Sequence, residues 1–306
     1  MIPYLQTEFL NSGVDTPFIV DAGGAIPFDN MISESPYFNY NANTRQFTIL
    51  SEGTFLINWF VAQQTGLCSG GSNFGIQFER PILNDEPGYP GFKPSKLILG
   101  SGHVKIAPTS GFAIIDVSVE EVAAGGIRFE LHNASSHDAA LSERTFSKAG
   151  LSVFGGSTEK MAYGQWQASG WDKNLEPYNL VDLEAIKFNE TIITPFRIVA
   201  SDSTGGVGRI GNDTFTLVRE GVYQISWEIP VEATYSIDGI EIALELNGVL
   251  VYSRSYAPLP IGLISGTAII STTDINQSLR LINKQPDNAD IIQIGNYSNL
   301  AIHQIS

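Results

Sequence analysis

With 306 residues the chain is long enough for two domains, each able to bury a core, and a hydrophobic share of 43% excludes a disordered polypeptide. The balance of 17 Lys and Arg against 32 Asp and Glu leaves a net charge of −15, which repels phosphate backbones and, without a basic cluster, excludes nucleic acid as a partner. Only 16% of residues are charged, and Gly, Ser, Thr and Asn fill the difference, a balance that suits short strands joined by many turns.

The first residues, Met1 to Leu10, show no basic segment followed by an apolar run, so no secretory signal is expected there. No stretch approaches the roughly 18 consecutive apolar residues of a membrane span. Residues 1–13 precede the clear strand pattern and read as an arm that docks on a neighbour. A first domain is expected over 14–155, a linker over 156–179 and a second domain over 180–306.

An internal repeat carries that division. Pro27-Phe28 through Trp59 aligns without gaps on Pro195-Phe196 through Trp227, at a shift of 168 residues. Ten of 33 positions are identical, where composition gives roughly two or three by chance. They include Phe47/Phe215, Gly53/Gly221 and Trp59/Trp227. Gly53 and Gly221 are expected at positive φ between adjacent strands. Phe47, Phe55, Phe215 and Tyr223 are expected in the core, and Trp59 and Trp227 in the core or at an interface.

Further along, the sole cysteine, Cys68, lies in a glycine-rich turn, so no intrachain disulfide is available. A proline-rich region spans Glu79–Lys96. Leu131-His132-Asn133 resembles Leu281-Ile282-Asn283. His132 and His137, beside Asp138, read as a solvated loop pair, and His103 shows no metal spacing. The expected linker carries Trp166 and Trp171, which suit packing or contact with a ligand.

In the second half, Gly206-Val207-Gly208-Arg209-Ile210-Gly211 has the spacing of a dinucleotide loop. The chemistry needs a helix next, and Thr214–Leu217 alternates as a strand instead, so this is a loop. Glu184, Glu190, Asp202 and Asp213 leave calcium between loops as the one open cofactor; no other is expected. Ile240–Leu246 alternates up to Asn247-Gly248, a strong hairpin signal, and Val249–Tyr252 returns from it. No segment of useful length favours a helical period. The reading is all-β, with eight to ten strands in each of two units.

Tyr37–Phe55, with Phe47, Gly53 and Phe55 in one unit and Phe215, Gly221 and Tyr223 in the other, resembles the opening of the tumour necrosis factor-like jelly roll. The likeness is to its branch with complement globular heads and collagen-like spore-surface glycoproteins. Asn247-Gly248, Phe146-Ser147 and Tyr297-Ser298 extend the resemblance. It departs in having no collagen stalk and no clear Asn-Gly hairpin in the first unit. The resemblance implies two tandem ten-stranded sandwiches, assembly as trimers, and recognition or structural roles rather than catalysis.

Three function classes follow. The leading expectation is a non-enzymatic structural protein that self-associates on a spore outer layer, an appendage or a virion. The second is a module binding carbohydrate or a receptor through Tyr89, Phe92, Trp166 or Trp171. The third is a β-sandwich enzyme acting on sugars; without a Gly-x-Ser-x-Gly elbow or a companion motif, no catalytic residue is assigned.

Overall fold

The structure is a computed structural model that describes residues 3–11, 17–63, 73–83, 91–100, 109–141, 148–156, 161–168, 178–180, 184–202, 211–234, 240–251, 255–257, 262–284, 292–294 and 298–305. It divides into two compact units, one of Met1–Gly100 with Val104–Lys160, the other of Ser101–His103 with Met161–Ser306.

In the first unit the strands are β1 (Tyr4–Phe9), β2 (Ile19–Val20), β3 (Asn30–Glu34), β4 (Phe38–Asn41), β5 (Gln46–Ile49), β6 (Gly53–Val61), β7 (Phe74–Pro81), β8 (Phe92–Leu99), β9 (Thr109–Val117), β10 (Ile127–Asn133), β11 (Ala139–Ala140) and β12 (Ala149–Gly155). One short helix, α1 (Val119–Ala123), is capped by Ser118, whose hydroxyl accepts from the Glu121 amide while the Glu121 carboxylate accepts from the Ser118 amide. Two five-stranded antiparallel sheets result, ordered β3-β1-β12-β6-β9 and β4-β5-β10-β7-β8, with a two-stranded sheet of β11 and β2 besides. Their inner faces bury Phe47, Phe55, Ile57, Trp59 and Phe129.

The second unit contains β13 (Tyr163–Ala168), β14 (Tyr178–Leu180), β15 (Glu190–Phe196), β16 (Ile198–Ser201), β17 (Thr214–Leu217), β18 (Gly221–Thr234), β19 (Ile240–Leu246), β20 (Val249–Leu250), β21 (Ser255–Ala257), β22 (Gly262–Thr272), β23 (Gln277–Asn283), β24 (Ile292–Ile294) and β25 (Ser298–Gln304). Here β15-β13-β25-β18-β22 repeats the order of the first sheet, with β24 and β14 added, and β16-β17-β23-β19 repeats the second. The hairpin at Asn247-Gly248 forms, with φ of 51° and 77° and Leu246 opposite Val249. The protein is all-β: two tandem jelly-roll sandwiches of one topology.

The division differs from the expected one at two places, for one reason. Tyr4–Phe9, expected as an arm, pairs with β12 on one side and β3 on the other, burying Leu5, Thr7 and Phe9. Tyr163–Ala168, expected as linker, pairs with β25 and β15 in the same way. Each is the first strand of its sandwich, so the repeat starts earlier than the hydrophobic pattern suggests. Polar residues facing away from the sandwich core (Gln6 and Glu8, and the buried Gln165 and Gln167) mask both strands.

The repeat also needs a gap. Ile26 donates its amide to the Leu131 carbonyl at 2.9 Å, and Ile186 donates to Leu281 at 2.8 Å. Phe28 therefore corresponds to Phe188, at a shift of 160, and not to Phe196. The rings agree, because Phe28 meets Phe47 edge-on at 5.4 Å and Phe188 meets Phe215 edge-on at 6.0 Å. The shift becomes 168 only beyond the β4–β5 connection, which runs over 42–45 while its counterpart runs over 202–213. The matches of Pro27 to Pro195 and Phe28 to Phe196 are thus out of register. The glycine-rich hexapeptide falls in that longer connection; 203–210 lie outside the described residues, and the chain emerges from it into strand β17.

Asn133 and Asn283 close the two units alike. Both are fully buried, and their amides donate to Gly24 and Glu184 at 2.8 and 2.9 Å. The Asn133 side-chain nitrogen donates to the carbonyls of Val20, Asp21 and His137, each at 3.1 Å. One amide thus ties the end of β2 to the loop at His137.

Candidate interaction surfaces

The residues singled out by the repeat sit in the sandwich interiors. Phe47, Phe55, Phe215, Tyr223 and Trp227 are fully buried and Trp59 nearly so. Gly53 and Gly221 open their strands at φ of 119° and 147°, a region that disfavours any side chain. The Tyr223 hydroxyl donates to the Arg219 carbonyl at 2.8 Å, and burial raises its phenol above the ordinary 10.

Trp166, expected as a ligand contact, is inaccessible. Its ring packs on Phe215 with centroids 4.5 Å apart. Register explains the choice of side chain: Leu5, Thr7 and Phe9 point inward from β1, where β13 has Gly164, Trp166 and Ala168. One indole in the middle replaces two flanking side chains, and a Cβ on Gly164 would stand 2.2 Å from the Trp166 ring. Alternation of Tyr163-Gly164-Gln165-Trp166-Gln167-Ala168 was the available signal. Trp171, Tyr89, Cys68, His103, Phe146, Ser147 and Tyr297 lie outside the described residues.

The titratable groups are dispersed. His132 pairs with Glu130 at 3.2 Å, and the Asp138 carboxylate accepts from the Ala22 amide at 2.9 Å. Asp202 binds Lys187 at 3.0 Å, and Asp213 is buried, accepting from the Thr214 hydroxyl at 2.9 Å. Among the described residues no three His, Cys, Asp or Glu side chains gather as metal ligands. His303 is buried on β25, and desolvation lowers its imidazole from 6.5 to about 4.

The outward face of the β3-β1-β12-β6-β9 sheet is more distinctive. Across it, Gln6, Ser152 and Asn58 stand in one row, and Glu8, Gly150 and Phe60 in the next. They line a shallow depression of about 200 Å³. Gly150 forms its floor, because a Cβ there would lie 2.3 Å from the Phe60 ring. Phe60 is 38% exposed. The sequence reading missed this site, since its residues come from three strands far apart in the chain.

No protein-family model matches the chain. No curated relative matches either. Solved structures resemble it at low identity. The globular domain of a zebrafish complement 1qA protein is 13% identical with a TM-score of 0.33, covering 47% of this chain and 98% of that one. The CBM22-1–CBM22-2 tandem domain of Xyn10C from Paenibacillus barcinonensis is 8% identical with a TM-score of 0.26, covering 98% and 88%. The VP2 subviral particle of infectious bursal disease virus is 11% identical with a TM-score of 0.21, covering 99% and 71%. Strand order, rather than these likenesses, defines the class: a tandem all-β jelly-roll protein.

Proposed function

We propose that this is a non-enzymatic structural protein that associates with further copies of itself, as trimers or a larger array, on a spore outer layer, an appendage or a virion. The observation that supports association is strand β22. It is eleven residues long, carries no charge, pairs on one side with β18, and holds Ile269 outward at 66% exposure. Two other strands at sheet margins carry the charges and prolines that block pairing: Lys93 and Pro94 in β8, Glu190 and Pro195 in β15. A long uncharged margin with an exposed aliphatic is a template for another chain.

Sedimentation and electron microscopy of the purified protein at micromolar concentration test this reading. Trimers or larger assemblies are expected, shifting toward monomer in Ile269→Lys with unchanged circular dichroism. A stable wild-type monomer overturns it. A screen of glycosidase and esterase substrates is expected to show no turnover, and turnover would replace the structural reading with an enzymatic one.

A further inference from the structure

The geometry points to a binding site for a neutral sugar ring on the outward face of the first unit, centred on Phe60. Four polar side chains surround that ring: Gln6 and Glu8 from β1, Asn58 from β6 and Ser152 from β12. Among the described residues, none of the four makes a side-chain hydrogen bond within the protein. They are uncommitted donors and acceptors beside an exposed aromatic face.

The second unit provides an internal comparison. Gln165, Gln167, Ser226, Glu228, Asn299 and Ala301 stand where the first unit has Gln6, Glu8, Asn58, Phe60, Gly150 and Ser152. There the aromatic and the glycine are gone. Asn299 occupies the floor position and accepts a hydrogen bond from the Gln167 amide at 3.0 Å. A ring lying over a bare glycine and reaching solvent belongs to the first unit, whereas the six second-unit residues are all buried.

The lining chemistry selects the ligand. Two amides and a hydroxyl both donate and accept, so they match hydroxyl groups, which do the same. The Phe60 ring offers an apolar surface to the C–H face of a pyranose. A lysine ammonium only donates and leaves the amide N–H groups without acceptors. Glu8 and the net charge of −15 disfavour an anion. A depression of about 200 Å³ is smaller than ordinary ligand pockets of roughly 300–1,000 Å³, and holds one ring. This site does not depend on self-association; in an array, repeated copies of it add avidity.

Saturation-transfer NMR against methyl glycosides of glucose, galactose, mannose and N-acetylglucosamine tests the inference, with a lysine-containing dipeptide as the cationic probe. One or more glycosides are expected to bind with dissociation constants on the order of millimolar. Phe60→Ala is expected to weaken binding about ten-fold or more, and the exposed Gln6→Ala several-fold, with far-ultraviolet spectra unchanged. Sedimentation of the same samples reads assembly separately. Silence across the glycosides, equal binding by Phe60→Ala, or response to the lysine probe alone overturns the assignment.

Discussion

Trp59 lays its indole over Gly111 on the adjacent strand, so closely that a Cβ on Gly111 would stand 2.2 Å from the ring. The two face each other in register, and in the second unit Trp227 faces Gly266 in the same manner. A large ring beside a bare backbone keeps the cross-strand pair within the volume of the core. Gly111→Ala is expected to destabilise the first unit by about 1–3 kcal/mol through overpacking. Urea unfolding checks this, with a lower midpoint and an unchanged slope.

Trp166 fills alone the space that Leu5 and Phe9 fill in the first unit. Trp166→Ala leaves a cavity beside the Phe215 ring, flanked along its own strand by Gly164 and Ala168, whose side chains are too short to fill it. The expected loss is about 3–5 kcal/mol. Calorimetry is expected to show the second unit melting earlier while the first keeps its transition.

Asn133 is the junction of three backbone carbonyls, those of Val20, Asp21 and His137. Asn133→Ala leaves those acceptors without their buried donor, at about 1–3 kcal/mol overall. Asn133→Asp is expected to cost more at neutral pH, because a carboxylate then faces the carbonyls of Val20, Asp21 and His137. Paired thermal melts of both variants check the order.

His303 makes stability depend on pH. Its folded value of about 4 lies below the ordinary 6.5, because burial disfavours the charged imidazole. As pH falls below 6.5 the unfolded chain takes up a proton that the folded chain refuses. Stability is therefore complete above 6.5 and declines until the pH passes the folded value, by up to roughly 3 kcal/mol. Unfolding free energies measured from pH 7.5 to 4 are expected to show this slope, and His303→Gln to flatten it.

How far the fold was legible depended on which side chains each strand turns outward. β18 and β19 announce themselves because aliphatics and aromatics alternate with polar residues over many positions. Gly53 and Gly221 mark the same backbone turn in both repeats, since no other residue adopts it without strain. β1 and β13 went unread because their outward residues are amides and acids and their inward ones exchange sizes between repeats, Leu–Thr–Phe against Gly–Trp–Ala. The true partner of Phe28 was hidden by a loop eight residues longer in the second unit, which an ungapped comparison cannot cross. The depression beside Phe60 had no linear signature at all. It exists only once residues near 7, 59 and 151 have been brought side by side.

The first strand of each sandwich hydrogen-bonds to its last, β1 to β12 and β13 to β25. A ribosome must therefore deliver Gly155 before the earlier sheet can close, and Gln304 before the later one. Halting synthesis before Ser298 removes an interior strand, parting β13 from β18, instead of trimming a margin. Contacts of such long sequence separation make for slow folding, and the interval between the two closures gives the leading sandwich time to settle before its twin is complete.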